Sequence, residues 1–227
     1  MAAAVVAYAM GVSVQNIQQG LRTFDTSFFQ VPGRLNVFDE LPFKVILDYG
    51  HNPVAIQCMV DLVGRLDAEG KRLCVLSAPG DRRDRDIMEI AAIAASGNFD
   101  HIIVRRDDHA RGRDLDEVPN LLRRGLEEAG YPKEKISVIV DEQDAIDAAL
   151  RSAVRGDLLF IFGDNITRCW KQIVGHKETL EAMSPLNEEV TSVVFPTPIT
   201  LTKSRTTLDG AIISDARGVR LARELSD

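Results

Sequence analysis

The stretch Lys44 to Pro53, KVILDYGHNP, decides the fold of this chain, because an apolar strand ends there in an acid, an aromatic, a glycine, a histidine and an amide. Val45 to Leu47 is an apolar, largely β-branched run, which is typical of a buried strand. Asp48 follows where such a strand leaves the core, and α/β folds bind their ligands at that point. The stretch therefore predicts a polar site at the end of a buried strand.

Two further polar loops flank this stretch. Upstream, Pro32-Gly33-Arg34 predicts a tight turn that presents a cation. Downstream, the apolar run Leu73 to Leu76 is followed by PGDRRD at Pro79 to Asp84. Free backbone NH groups and the helix dipole favour an anion at such strand ends. Three polar loops in these positions indicate one ligand that carries phosphate.

From residue 35 onward, predicted strands alternate with predicted helices. The strands are Leu35–Phe38, Lys44–Leu47, Leu73–Ser77, His101–Val104, Ser137–Val140 and Leu158–Phe162. The helices are Pro53–Leu66, Asp84–Ala95, Asp114–Ala129, Glu142–Val154 and Ile166–Ile173. This order is typical of α/β proteins and predicts a Rossmann-like, mostly parallel sheet with helices on both faces.

Both ends of the chain depart from this pattern. Met1–Gly11 predicts the end of a helix, and Ser13 is expected to cap a second helix, Val14–Leu21. Because the first helix is apolar and lacks an N-cap, we expect the sequence to begin inside a longer architecture. Helical order is predicted to end near Met183.

The last residues predict an extended tail, with a final strand at Ala211–Ile213 and a short helix at Val219–Leu225. We therefore expect three regions, which span 1–30, 31–183 and 184–227.

Composition limits the class of protein. The 227 residues carry a formal charge of −7, which argues against nucleic acid or an anionic membrane as the main partner. No basic signal-peptide start and no apolar run long enough for a membrane span is found, so we expect a cytoplasmic protein. Neither a disulfide framework nor a zinc site is indicated by the three widely spaced cysteines, Cys58, Cys74 and Cys169.

Asp48 could accept hydrogen bonds from ribose hydroxyls, hold a metal or cap the helix that Pro53 begins. Asn52 before Pro53 is already a good N-cap, which favours a binding role for Asp48. His51 could stack on a base or bind a phosphate, or it could simply face solvent. Arg34 could present its donors to a phosphate, or it could be an ordinary turn residue.

A second candidate set follows the predicted strand His101–Val104. Asp107, Asp108, Arg111 and Arg113 alternate in sign about a glycine and could grip a carboxylate or a phosphate. They could equally form a hydrophilic connection. No phosphate-binding loop of the form G-x-x-x-x-G-K-[ST] occurs anywhere in the chain.

Together, VPGR at 31–34, DYGHNP at 48–53 and the GDRRD loop resemble the C-terminal domain of the Mur ligases and folylpolyglutamate synthases. The resemblance covers roughly Met1 to Lys177. Within that group the chain looks most like the cyanophycin synthetases, on the motifs APGDRRD, RGR and FGDNITRCWKQI at 78–84, 111–113 and 162–173.

The resemblance implies a ligase that uses ATP to join a carboxylate and an amine through an acyl phosphate. Arg34 would reach the γ-phosphate, Asp48 would bind the ribose, and His51 and Asn52 would lie beside the nucleotide. The reaction implied is addition of arginine to the aspartate side chains of the polymer cyanophycin. The incoming arginine or polymer would be recognised by Asp107, Asp108, Arg111 and Arg113.

The resemblance also implies that other parts of the enzyme are needed. Residues 1–30 would be a helical remnant of a central domain, which would supply the phosphate-binding loop and the Mg²⁺ ligands. An ATP-grasp half would be a further partner, and the chain alone is expected to be inactive. The alternatives are another Mur or folylpolyglutamate-type ligase domain, and a non-catalytic module that binds nucleotide or docks on a partner. Exposure of the apolar first helix, if its parent domain is missing, would favour docking or self-association.

Overall fold

Strands and helices alternate along the chain as the sequence predicts. The computed structural model describes residues 2–25, 27–183, 212–215 and 218–221, in two compact units, Met1–Glu181 and Ala182–Asp227. The helices are α1 (Ala2–Ala9), α2 (Val14–Thr23), α3 (Pro53–Val63), α4 (Asp84–Ala95), α5 (Glu117–Glu128), α6 (Glu142–Ser152) and α7 (Ile166–Met183). The strands are β1 (Asn36–Phe38), β2 (Lys44–Asp48), β3 (Arg72–Leu76), β4 (His101–Val104), β5 (Ile136–Val138), β6 (Leu158–Phe162), β7 (Ile212–Asp215) and β8 (Gly218–Leu221).

The first unit contains a six-stranded sheet in the order β1-β2-β6-β3-β4-β5. Only the β1–β2 pair is antiparallel, so the predicted mostly parallel α/β fold is confirmed. Asp48 pairs in register with Phe162, and Leu76 with Val104. The carboxyl ends of these strands therefore meet at one edge of the sheet. The polar loops after β2 and β3 begin at this edge, and the Pro32-Gly33-Arg34 turn precedes β1 at the same edge, because β1 is antiparallel to β2.

Helices cover both faces of the sheet. Ile46, Cys74 and Phe160 point to the face that α3, α4 and α5 cover. Val45, and the buried residues beside it on the adjacent strands, point to the opposite face, which α6 and α7 cover. Because both faces are buried, the strands carry continuous apolar runs rather than an alternation of apolar and polar residues.

The first two helices pack differently from the rest. Neither α1 nor α2 contains a buried residue. The predicted cap of α2 is confirmed, since Ser13 Oγ accepts a hydrogen bond from Asn16 N at 3.3 Å. Large apolar side chains of this region are exposed, namely Val5, Val6, Tyr8, Met10, Val14 and Leu21.

Several predicted boundaries shift. β1 begins at Asn36 rather than Leu35, because Leu35 has a positive φ of 51° and cannot extend the strand. β5 begins at Ile136 and is shorter than predicted. Helix α5 begins at Glu117 rather than at the predicted Asp114. A turn precedes it, in which Glu117 N donates a hydrogen bond to Asp114 O at 3.2 Å.

The second unit is described only as a two-stranded antiparallel pairing of β7 with β8. A strand at residues 212–213 agrees with the prediction. The predicted helix from Val219 is wrong at residues 219–221, which belong to β8, because they pair with residues 212–214 of β7. The remaining residues of those two predictions lie outside the described residues.

In the part of the chain that the structure describes, every helix is too short or too polar to be a membrane span.

The buried hydrogen bond from Tyr131 Oη to Phe99 O, at 2.8 Å, provides a test of packing beneath α5. Tyr131→Phe leaves that carbonyl unpaired, so we expect a loss of about 1–3 kcal/mol in the free energy of unfolding, measured with urea. The control Tyr8→Phe alters an exposed tyrosine whose hydroxyl forms no hydrogen bond among the described residues, and its free energy of unfolding should stay within about 0.5 kcal/mol of wild type. Equal losses in the two variants would contradict this assignment.

Candidate functional site

The turn that carries Arg34 is fixed by a buried amide. Gly33 has a φ of +71°, and its NH donates to Asn36 Oδ1 at 2.6 Å. Asn36 Nδ2 donates in turn to Val31 O at 2.9 Å. A side chain at Gly33 would place its Cβ 2.7 Å from Ile166 Cγ1, so only glycine fits here. Sequence reasoning missed Asn36 because the residue lies at the start of a predicted strand.

Asp48 is buried at the end of β2 and joins two loops. Its Oδ2 accepts a hydrogen bond from Leu35 N at 2.9 Å, and its Oδ1 accepts one from Gly50 N at 2.7 Å. Tyr49 N also donates to Gly33 O at 2.9 Å. The carboxylate therefore ties the Arg34 turn to the β2–α3 loop, residues 49–52.

The helix that follows does not need Asp48. Asn52 caps α3, because its Oδ1 accepts a hydrogen bond from Ala55 N at 3.0 Å. The hypothesis that Asp48 caps this helix is thus wrong, and the predicted N-cap at Asn52 is confirmed. Asn52 lies in the same loop as His51, but its side-chain oxygen already accepts the capping hydrogen bond of α3.

Arg34, Tyr49 and His51 share one surface. The guanidinium carbon of Arg34 lies 5.6 Å from the centre of the Tyr49 ring, and the Tyr49 and His51 rings are 5.0 Å apart. His51 Nδ1 is 2.9 Å from Tyr49 O, which can only accept, so Nδ1 carries a proton. Arg34 is exposed. Among the described residues, its guanidinium forms no ion pair and donates only one hydrogen bond, to Gly33 O, which is long at 3.5 Å. Its donors are therefore available to an anion.

Arg113 holds the β3–α4 loop, residues 77–83, against the β4–α5 loop, residues 105–116. Its Nε donates to Gly80 O, and its Nη2 donates to Arg82 O and to Asp84 Oδ1, each at 2.7 Å. Its Nη1 donates to Glu117. Most donors of this guanidinium are therefore engaged within the chain.

Arg111 lies at the tip of the β4–α5 loop. It is exposed, and its Nη1 is 3.1 Å from both carboxylate oxygens of Asp81. Its φ of +50°, followed by +90° at Gly112, makes the tight turn that presents it. The structure thus brings Arg111 beside the β3–α4 loop, on the same edge of the sheet as Arg34.

Asp107 and Asp108 both have an arginine partner in the chain. Asp107 is buried, and its Oδ1 is 3.4 Å from Arg105 Nη1. Burial raises the pKa of Asp107 above its ordinary value, and Arg105 partly opposes that shift. Asp108 Oδ1 accepts a hydrogen bond from Arg168 at 2.7 Å, which lowers the pKa of Asp108. Neither carboxylate is unpaired.

A buried ion pair, which sequence reasoning missed, lies beneath these loops. Arg105 is 0% exposed, and its Nη2 is 2.8 Å from Glu142 Oε1. Glu142 also accepts hydrogen bonds from Asp164 N at 2.8 Å and Asn165 N at 3.3 Å, and it contacts Arg168. Burial raises the pKa of Glu142, but Arg105 and these donors outweigh it and keep the pKa below its ordinary value. The one signal of this ion pair in the sequence was Arg105, an arginine directly after a predicted buried strand.

Metal ligands are not assembled here. Within the described ranges, no three Asp, Glu, His or Cys side chains come together as metal ligands would. The loops described above present arginine side chains and backbone NH groups, which suit an anionic ligand.

Comparison with known protein sequences identifies the family. Residues 33–165 match the family model of the Mur ligase, glutamate ligase domain. The chain is 40% identical over 167 residues to the cyanophycin synthetase of Geminocystis herdmanii, covering 74% of this chain and 19% of that protein. It is 30% identical to a UDP-N-acetylmuramoyl-L-alanyl-D-glutamate–2,6-diaminopimelate ligase of Aquifex aeolicus, covering 70% of this chain and 31% of that protein. The chain thus spans about a fifth of the length of the cyanophycin synthetases it matches.

Solved structures share the fold. A folylpolyglutamate synthase of Mycobacterium tuberculosis, complexed with ADP and AMPPCP, superposes with a TM-score of 0.56 at 21% identity, over 75% of this chain and 37% of that one. A structure of a UDP-N-acetylmuramoyl-L-alanyl-D-glutamate–2,6-diaminopimelate ligase gives the same TM-score of 0.56 at 17% identity, over 79% of this chain and 37% of that one.

The lowered pKa of Glu142 predicts how its replacement depends on pH. A carboxylate with a depressed folded-state pKa stabilises the fold above its ordinary value of 4.5, and this contribution is lost as pH falls below it. Glu142→Gln leaves Arg105 buried without a counter-charge, so we expect a loss of about 3–5 kcal/mol at pH 7 that narrows towards pH 3. Urea unfolding across this range measures the difference.

The matched control is Glu128→Gln, which changes an exposed glutamate at the end of α5. Its free energy of unfolding should stay within about 0.5 kcal/mol of wild type. A Glu142→Gln deficit that is independent of pH would show that the charge of Glu142 does not stabilise the fold.

Proposed function

Because residues 33–165 match its model, the chain belongs to the Mur ligase, glutamate ligase domain family, and we propose that it closes over the nucleotide and substrates of an ATP-dependent amide ligase of the cyanophycin synthetase type. The observation that carries this proposal is the convergence of Arg34, Asp48 and His51 on one edge of the sheet. The similarity to cyanophycin synthetases supports the choice of ligase type.

The proposed reaction has two steps. A carboxylate oxygen of the acceptor attacks the γ-phosphorus of ATP, the bond to ADP breaks, and an acyl phosphate forms. The amine nitrogen then attacks the acyl carbon, inorganic phosphate leaves, and the nitrogen loses a proton to give the amide. In the assembled enzyme, the acceptor would be an aspartate side chain of cyanophycin and the amine would be that of arginine.

On the nucleotide side, Arg34 would donate to the γ-phosphate as charge moves during transfer. Asp48 keeps the Arg34 turn in place through Leu35 N. An ionised carboxylate has about four acceptor positions, so the two bonds to backbone leave capacity for ribose hydroxyls. His51 and Asn52 would lie beside the nucleotide in the same loop.

On the amine side, the β4–α5 loop would face the incoming arginine or polymer through Asp107, Asp108, Arg111 and Arg113. Among these four, Arg111 is the exposed cation at the loop tip. The other three would act mainly by shaping the loop, because each is at least partly buried and paired within the chain, whereas Arg111 pairs with Asp81 at the exposed tip.

Other domains would complete the site. The phosphate-binding loop, its lysine and the Mg²⁺ ligands would come from a central domain, and a separate ATP-grasp domain would add aspartate. On this proposal, residues 1–30 belong to the central domain and the chain alone has no ligase activity. The exposed apolar residues of α1 favour a second candidate, a module that docks on a partner or on another copy without catalysis.

A complementation experiment separates these functions. The chain is mixed with, and in a second arm joined to, the Geminocystis herdmanii synthetase from which the matching segment has been removed. We expect phosphate release that requires both ATP and arginine. The intact synthetase is the positive control. Release in neither arm, with that control active, would reject the ligase function and leave the docking module.

Replacement of Arg34 tests its role in the complemented enzyme. We expect Arg34→Ala to lower kcat by about 100-fold or more while the KM for ATP changes by less than about threefold, because Arg34 acts on charge that develops in the transition state. Arg65→Ala, at an exposed arginine after α3, should change neither constant. Equal losses in kcat and in ATP affinity would identify Arg34 as a ground-state anchor instead.

A further inference from the structure

We propose that Arg105 is a positioning residue that makes the β4–α5 loop and the β6–α7 loop, residues 163–165, move as one body on the amine side of the site. This inference rests on the proposed function for its effect on the reaction, whereas its structural part can be tested without activity. Arg105 is fully buried, so it acts through neighbouring groups and does not touch a substrate.

The guanidinium of Arg105 connects three segments that are distant in sequence. Its Nη1 donates to Arg106 O at 2.7 Å, within the β4–α5 loop. Its Nη2 donates to Phe162 O, at the end of β6, at 2.6 Å. The same nitrogen is 2.8 Å from Glu142 Oε1, at the start of α6. One planar group thus fixes the distance between the ends of β4 and β6.

Glu142 extends this connection to the start of α7. Its two carboxylate oxygens accept from Asp164 N and Asn165 N, and Arg168 bridges Glu142 to Asp108. Asp108 N donates to Asp164 Oδ2 at 3.1 Å. The β4–α5 loop is therefore bonded to the β6–α7 loop both through Arg105 and directly.

The nucleotide side is held by different bonds. Asp48 organises the Arg34 turn and the β2–α3 loop without any side-chain contact to Arg105 among the described residues. Where the two sides meet beyond the ends of β2 and β6, Gly163 N donates a backbone hydrogen bond to Asp48 O at 2.9 Å. Loss of the Arg105 connections should therefore loosen the amine side and leave the nucleotide side in place.

Arg105→Lys is the sharpest test, because it keeps the charge but replaces a rigid fork by one ammonium that cannot reach both carbonyls and Glu142 together. Amide hydrogen exchange is measured by NMR on the chain itself. We expect the amides of Asp164 and Asn165 to exchange about tenfold faster relative to those of Leu35 and Gly50, which bond to Asp48. Because the result is a ratio of exchange rates between two pairs of amides, a loss of stability that affects all amides equally cancels out.

Leu126→Ala is the matched control. Leu126 is fully buried on α5, which covers the face of the sheet opposite to α6 and α7. Its truncation therefore destabilises the fold without removing a contact of Arg105. Its exchange ratio should equal that of wild type. An unchanged ratio in Arg105→Lys, or the same change in Leu126→Ala, would overturn the proposal.

Kinetics in the complemented enzyme add a second readout. Arg105→Lys should raise the KM for arginine by about tenfold or more and leave the KM for ATP within about twofold, since only one side of the site loosens. A shift of both constants together would reject the positioning role. If neither the mixed nor the joined wild-type arm is active, the ligase function fails, and the exchange ratio alone still decides whether Arg105 joins the two loops.

Discussion

The parallel pairing of β2, β6, β3 and β4 is the constraint on which the site depends. It brings four strand ends to one edge, so loops that start 28 residues apart, after Leu76 and Val104, become neighbours. Backbone groups at such an edge have no further strand to bond. Here they are satisfied by charged side chains, chiefly Asp48, Arg105 and Arg113.

The fold could be predicted from the sequence because its signals are local. Apolar runs bounded by Gly, Pro and Asn gave all six strands of the main sheet, and the pair Asn52-Pro53 gave the start of α3. The errors arose where local patterns are ambiguous. GVRL after residue 217 has too few residues to separate a helix from a strand, and its pairing with IISD decides the outcome.

The site was predicted only in part, for a physical reason. Arg34 and Asp48 lie beside turns with recognisable residues, and the structure brings their loops together. Their contacts with a nucleotide stay a proposal. Arg105 and Glu142 could not be found in this way, because the partner of Arg105 at Phe162 is 57 positions away and its importance follows from burial. No spacing in a single sequence encodes that contact.

The arginines at this edge differ in what the fold leaves unused. Arg34, Arg105 and Arg113 all follow a strand or a turn, and each carries the same fork of donors. The Nη atoms of Arg113 and Arg105 donate hydrogen bonds to carbonyls and carboxylates of the chain. Arg34 instead lies over the Tyr49 ring and is exposed to solvent. A guanidinium whose Nη atoms already donate to groups of the chain gains little by binding a ligand, since it would first have to break those bonds. Of these three arginines, Arg34 is therefore the one whose guanidinium is available to an anion, whereas Arg105 and Arg113 hold the β3–α4, β4–α5 and β6–α7 loops in place.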